Sequence, residues 1–256
     1  MSVTEPVIEL AGVRLVRQGR VLLDEVNWCV GVGEHWALLG PNGAGKSTLL
    51  SLAGAVTFPT AGSVRILGEK MGAVEIRRLR ERIGHVNPRH PVRSSMSARD
   101  VVLAGLTGTT ERMARWRPDV HQAARAEELL AEFGLNGDLH WPTMSQGERG
   151  RALIARALIP GPELVLFDEA TTGLDVAARE QFLRSMDTLP MTTVTVTHHL
   201  EELPRSTTHA LLIRAGRVLA AGPAEDVLSS ANISACFDYP LAVQRQEGRW
   251  VARSAH

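Results

Sequence analysis

The run Gly40-Pro41-Asn42-Gly43-Ala44-Gly45-Lys46-Ser47-Thr48 fits the phosphate-binding pattern G-x-x-x-x-G-K-[ST], and each part has a physical reason. Gly43 and Gly45 let the backbone fold around an anion at angles that a side chain would obstruct. The amides from Gly43 to Thr48 then point inward at the start of a helix, whose dipole favours negative charge. Lys46 can reach the β- and γ-phosphates, and the Ser47 hydroxyl can ligate Mg²⁺. Trp36 to Leu39 predicts a buried strand before the loop, and Leu49 to Ala53 a helix after it. Strand, loop and helix together predict a bound nucleoside triphosphate.

Two further groups carry chemistry. Asp168-Glu169 ends the apolar run Leu164 to Phe167. In open α/β sheets ligands sit outside the carboxyl ends of the strands, so both carboxylates should face the phosphates. Asp168 then belongs on Mg²⁺, through water, and Glu169 on the attacking water. The rival reading makes the pair a cap for the next helix. Upstream, in Met144-Ser145-Gln146-Gly147-Glu148, Ser145 is a good N-cap and Gly147 leaves the backbone open. With a helix running on through Leu158, a serine and free amides at its start form a second anion site.

In this order the motifs resemble those of ATP-binding cassette (ABC) ATPases, and the resemblance runs from about Val7 to Pro223. The family signature is L-S-G-G-Q; here Met144 stands for Leu, Gln146 for the first Gly and Glu148 for Gln. Ser145 and Gly147 are kept, which implies contact with the γ-phosphate. Thr172-Gly173-Leu174-Asp175 is similar to the family's D-loop, implying that Asp175 lines a dimer interface. His198, after Thr193 to Thr197, matches the switch histidine that contacts the γ-phosphate and orients Glu169 and water. His199 competes for that part, and a His-His metal site is the other reading of the pair; no carboxylate or cysteine pattern accompanies it. Some positions depart from the family. Pro88 stands where a glutamine usually meets Mg²⁺ or water and senses a transmembrane partner, with Asn87 the nearest amide and no Gln from Leu49 to His121. Arg17 replaces the aromatic residue on which adenine stacks, a part that a planar guanidinium can play. Ala170 replaces the proline usual after the catalytic Glu.

The elements that must position these residues alternate. Val7 to Leu10, Val13 to Arg17, Val26 to Val30, Val64 to Leu67 and Ile83 to Val86 read as strands, with a turn around Gln18-Gly19-Arg20. From about Pro88 to Ser145 the pattern turns helical: Ser97 can cap Ala98 to Gly105, and Val120 to Phe133 spaces its apolar residues by three and four. Leu164 to Phe167 is typical of a buried parallel strand, Arg179 to Leu189 is helical, Thr193 to Thr197 alternates and Leu211 to Ile213 is apolar. The fold class is α/β: a P-loop NTPase core with an N-terminal antiparallel β subdomain and an inserted α-helical subdomain. By residue, 1–87 and 160–230 form the ATPase core, 88–159 the helical signature subdomain, and 231–256 a C-terminal extension that packs on the core as a small hairpin.

The 256 residues suffice for a substantial core. Hydrophobic content of 44% and charged content of 22% are ordinary for a globular protein. A formal net charge of zero predicts neither nucleic-acid binding nor adhesion to anionic lipid. Lys46 and Lys70 are the only lysines. Cys29 and Cys236, far apart and without metal-type spacing, are expected to be reduced, buried thiols. No stretch approaches the roughly 20 apolar residues of a membrane span, and Met1 to Pro6 carries no feature of a secretion signal. The resemblance therefore implies an ATP-hydrolysing subunit of an ABC transporter that dimerises head to tail around two MgATP. Its partners would be a second copy or a homologous ATPase subunit, and a separate integral-membrane permease. It would sit peripherally on the cytoplasmic face of the cell membrane. The alternative is a soluble ABC-type ATPase that remodels a protein or nucleic-acid assembly.

Overall fold

The computed structural model describes residues 5–88, 90–92, 96–109 and 116–255. The expectations placed on the first four residues, on the end of the C-terminal extension and on stretches 89, 93–95 and 110–115 of the insertion lie outside the described residues.

β1 (Ile8–Arg17) and β2 (Arg20–Val30) form a hairpin across Gln18-Gly19 and join β4 (Ala61–Ile66) and β5 (Glu69–Lys70) in an antiparallel sheet of order β2-β1-β4-β5. Where two strands are expected before Gln18, the chain forms one; register shifts between Leu10 and Val16 absorb the break in alternation. In β2 the side chains of Trp28 and Val30 point to the core, so the pleat sends Cys29 outward. Cys29 is exposed, not buried as expected; Cys236 is buried, and both are free.

The second sheet holds the core. β3 (His35–Leu39), β6 (Ile83–Val86), β7 (Leu164–Asp168), β8 (Thr192–Thr197) and β9 (His209–Arg214) are parallel, and β10 (Arg217–Pro223) closes one edge antiparallel to β9. The order is β10-β9-β3-β8-β7-β6. All six residues of β8 are buried, because helices cover both faces of a parallel sheet. Threonine is tolerated there because hydroxyls find partners: Thr192 Oγ1 accepts from the Gly33 amide at 2.9 Å and Thr193 Oγ1 meets His35 Nδ1 at 2.9 Å.

α1 (Lys46–Ala53) follows β3 and packs on β2, β7 and β8. α2 (Ile76–Glu81) precedes β6. The insertion supplies α3 (Ala98–Leu103), α4 (Val120–Glu132) and α5 (Gln146–Leu158), which pack on one another. Ser97 and Asp119 start the first two with reciprocal capping boxes to Asp100 and Gln122. α6 (Val176–Asp187) begins a turn earlier than the expected Arg179, because Asp175 Oδ1 accepts from the Ala178 amide at 2.8 Å and caps it. At the C-terminus α7 (Ala224–Val227) and α8 (Ser230–Phe237) lead into the hairpin of β11 (Leu241–Gln246) and β12 (Arg249–Ser254). Ile233, Cys236 and Trp250 of this segment share a buried cluster with Leu39, Leu200 and Leu212.

The insertion joins the core through α5, which packs on α6 and β6. A Cβ on Gly147 would stand 3.0 Å from that of Ala178, and one on Gly150 would stand 3.1 Å from the Phe182 ring. Gly147 is therefore packed closely against α6, with no room for a side chain. Phe182 is fully buried and meets Phe167 edge-on at 6.3 Å between ring centroids. Phe182→Ala should lower the free energy of urea-induced unfolding by about 3–5 kcal/mol, and a loss below 1 kcal/mol would show that α5, α6 and β7 do not share one core.

Candidate functional site

The parallel register gathers the motifs at one edge. Leu39 lies opposite Thr197, and Asp168 opposite Val196. Val86 in turn lies opposite Phe167. The loop after β3, His198 after β8, Asp168-Glu169 at the end of β7 and Asn87 after β6 thus leave four adjacent strands from the same side of the sheet.

The loop from Gly40 to Thr48 is shaped from outside as well as within. Gly43 and Gly45 have φ of 78° and 111°, a region that side chains rarely adopt. At Gly40 the demand is space, since a Cβ would lie 2.1 Å from the carbonyl oxygen of Ile213 on β9. The sequence motif does not reveal that contact. Lys46 is only 5% exposed and donates to the carbonyls of Gly40 at 2.7 Å and Pro41 at 3.1 Å. Burial pushes its pKa down, opposed by the field of the carboxylates, Glu169 before Asp168. Ser47 is exposed on the first turn of α1.

On the facing strand ends, Asp168 and Glu169 are both partly buried. Asn87 Nδ2 donates to Asp168 Oδ2 at 3.2 Å. Asn87 thus meets the carboxylate from the neighbouring strand end, one residue before Pro88; its place after β6 is the signal that points to it. Glu169 sits at φ 48°, in the left-handed region, with its amide donating to the Val196 carbonyl at 3.0 Å. A non-glycine residue held there costs on the order of 1–3 kcal/mol, and the turn swings its side chain away from the direction of β7. Glu169 Oε1 stands 3.5 Å from His198 Nδ1, a nitrogen that is buried without a hydrogen-bond partner. His199 is exposed beside it, with Nδ1 3.7 Å from Glu201 Oε1. The geometry therefore brings Glu169 to His198 rather than to His199.

Three expected residues make their contacts outside this group of strand ends. Arg17 is exposed at the end of β1, where its guanidinium donates to Thr57 in the turn after α1. Asp175 caps α6. Ser145 caps α5 in a reciprocal capping box: its amide and hydroxyl both donate to Glu148 Oε2 at 2.8 Å, and its Oγ accepts from the Glu148 amide at 3.2 Å. These bonds hold the Glu148 carboxyl below its ordinary pKa, so it is charged at neutral pH. α5 packs on α3, α4, α6 and β6, and shares none of its main packing partners with α1. The helix starts at Lys46 and Ser145 thus belong to separate parts of one protomer. Between insertion and core lies a cleft of about 370 Å³ whose walls include Pro88, His90, Trp141, Arg149, Ala170 and Leu174.

Comparison with known proteins places this geometry among relatives. Residues 23–172 match the sequence profile of the ABC transporter family. The uncharacterized ABC transporter ATP-binding protein YlmA of Bacillus subtilis is 35% identical, over 95% of this chain and 95% of its own. The lipoprotein-releasing system ATP-binding protein LolD of Anaeromyxobacter dehalogenans is 36% identical, over 86% of this chain and 96% of its own. Among solved structures, the ATP-binding cassette MJ0796, a dimer in a post-hydrolysis state bound to ADP and Pi, superposes with a TM-score of 0.71 at 26% identity. That similarity covers 84% of this chain and 98% of MJ0796.

The two glycines at the loop's shoulder and crown can be separated by substitution. Gly40→Ala forces a Cβ into the Ile213 carbonyl, so it should lower the melting temperature by several degrees and abolish nucleotide binding. Gly43→Ala has nothing within 4 Å to strike and should show only the cost of its positive φ, about 1 kcal/mol. Thermal unfolding with and without nucleotide checks both; equal losses would show that β9 does not shape the loop.

Proposed function

The chain belongs to the ATP-binding cassette family as an ATP-binding, ATP-hydrolysing transporter protein, and from that premise we propose that it works as one half of a closing pair. Two copies, or this chain and a homologous ATPase subunit, meet head to tail around two MgATP and drive a separate integral-membrane partner. The observation that carries this reading is the separation of the two helix starts. Lys46 and Ser145 stand on helices with no main packing partner in common, so Ser145 and Gly147 are free to complete a site on a neighbouring protomer rather than their own. The dimer of MJ0796 with ADP and Pi is a precedent in a relative.

In the proposed site the amides from Gly43 to Thr48 hold the phosphates and Lys46 turns from the loop carbonyls to the β- and γ-oxygens. Pro41, Asn42 and Ala44 give the loop its path, and Arg17 is the platform for the base. Ser47 and Asp168 present hard oxygen donors at facing strand ends, which suits a cation otherwise held by phosphates and water. The described residues include no cluster of three metal-binding side chains, as such a cation requires none. Mg²⁺ bound there would neutralise phosphate charge; Asn87 fixes the orientation of Asp168. Glu169 takes the proton of the attacking water, and His198 contacts the γ-phosphate and orients Glu169. Asp175 lies exposed at the start of α6, where it can face the second protomer.

None of the helices among the described residues is long and apolar enough to cross a membrane. Association with the cytoplasmic face would therefore run through the partner, and the cleft beside Pro88 is the surface we assign to it. The same proposal divides the chain into a core of 1–87 and 160–230, an insertion of 88–159 and an extension of 231–256. Glu169→Gln should reduce ATP turnover on the order of 10²–10⁴-fold while an ATP-loaded dimer accumulates, measured by phosphate release and by light scattering after gel filtration. Unchanged turnover would remove Glu169 from the role of base.

A further inference from the structure

The C-terminal hairpin has no part in the nucleotide site as described so far, yet one of its side chains reaches two elements that leave it. Arg249, the first residue of β12, is 15% exposed. Its Nη1 and Nη2 donate to Glu180 Oε2 and Oε1 at 3.3 and 3.2 Å, a two-pronged contact, and Nη2 also donates to the Glu201 carbonyl at 2.9 Å. Glu180 stands in α6, the helix capped by Asp175. Glu201 lies in the short 3-10 turn Leu200–Glu202 that follows His198 and His199. One guanidinium thus ties the segment behind His198 to the helix behind Asp175.

That tie bears on the chemistry because His198 is held by little else. Its Nδ1 is 3.5 Å from Glu169 Oε1 and has no hydrogen-bond partner, so no direct bond sets the distance between them. The distance follows from where the backbone of 197–202 lies. From inside, that backbone is fixed by Thr197, whose hydroxyl donates to Glu202 and accepts from the His199 amide. From outside it is fixed by Arg249. The anchor itself is firm, since the neighbouring Trp250 is buried in the C-terminal cluster and Arg245 lies 5.5 Å over its ring. The Arg249 Nε is buried with no partner, so the two Nη atoms carry all of the guanidinium's bonding.

We infer that Arg249 is a positioning residue for ATP hydrolysis: from the C-terminal hairpin it locks the His198 segment to α6, so that the hydrolytic pair Glu169–His198 and the interface residue Asp175 keep one relative placement. The inference rests on the proposed roles of Glu169 and His198. A rigid tie of this kind raises kcat without holding nucleotide, because Arg249 touches neither the loop at Gly40–Thr48 nor Asp168. A hairpin that merely covers the sheet would affect stability and nothing else.

The two are separated with the full-length protein by measuring kcat, KM, the Kd of a fluorescent ATP analogue and the melting temperature for Arg249→Ala, Arg249→Lys, Glu180→Gln and the double variant Arg249→Ala/Glu180→Gln. Arg249→Ala should lower kcat about tenfold with KM and Kd within about twofold, the split expected of a group that acts only on the chemical step. Arg249→Lys, which keeps the charge and one prong, should recover part of the rate. Glu180→Gln should lower kcat too, and the double variant should lose no more than Arg249→Ala alone, since both remove one tie. A fall in melting temperature with kcat unchanged well below it overturns the inference and leaves the hairpin a cover. His198→Ala serves as the reference. If it abolishes turnover while Arg249→Ala does not alter kcat, the inference alone fails. If His198→Ala keeps full turnover, the reading of the site fails and the inference with it.

Discussion

The parallel pairing of β3, β8, β7 and β6 is the constraint on which the rest depends. Leu39 stands level with Thr197, and Asp168 level with Val196, so the chain leaves neighbouring strands at the same height with a loop, a histidine, a carboxylate pair and an amide. Parallel ladders need crossovers, and helices on both faces bury such a sheet. Full burial of β8 follows, and with it the need to satisfy its threonines. Thr197 illustrates the coupling: a hydroxyl that must be bonded inside the sheet edge reaches Glu202 and the His199 amide, and so bends the chain that carries His198. The satisfaction of a core strand and the placement of a reactive side chain are here one set of bonds.

Close approach and backbone strain are concentrated at the same edge. Gly40 lies against the Ile213 carbonyl with no room for a methyl group, and Glu169 is held at a positive φ on the order of 1 kcal/mol or more above an extended residue. Neither feature helps the fold on its own account. The first lets the phosphate loop sit between β3 and β9, and the second turns a carboxylate out of the line of its strand. Stability for both comes from elsewhere, from contacts such as Phe167 against Phe182 and the glycine seam between α5 and α6.

Much of the candidate site is readable in the sequence because its parts are contiguous. Gly40 to Thr48, Met144 to Glu148, Asp168-Glu169 and Thr197 to His199 each carry their own pattern, and short apolar strands precede the first and third of them. The alternation at Thr193 to Thr197 marks a strand but does not report whether both of its faces are covered. Cys29 was misplaced for a related reason: a cysteine's buried average says nothing of which way the pleat turns at that position. The packing of Gly147 on Ala178 has no local signal because the two are distant in sequence. The clash at Gly40, the bond from Asn87 to Asp168 and the reach of Arg249 all join residues from different strands or helices. Local pattern contains no trace of such partners; topology supplies them.

Both ends of the proposed composite site are closed on themselves in the single protomer. Lys46 bonds the carbonyls of Gly40 and Pro41, and Ser145 is bound to the carboxylate of Glu148. A buried ammonium left without acceptors would be costly, and the loop carbonyls of Gly40 and Pro41 supply them. Binding a triphosphate then exchanges one set of bonds for another instead of creating them from nothing, and the net gain is smaller than the count of contacts suggests. At Ser145 the exchange is less even. The charged Glu148 carboxylate occupies the helix start that a γ-phosphate would approach, and like charges there oppose each other. Closure of two protomers must therefore draw on more than the signature turn itself. In the proposed pair, the apposition of Asp175 and the hold of Lys46 on the phosphates would supply the balance and tie pairing to a loaded phosphate loop.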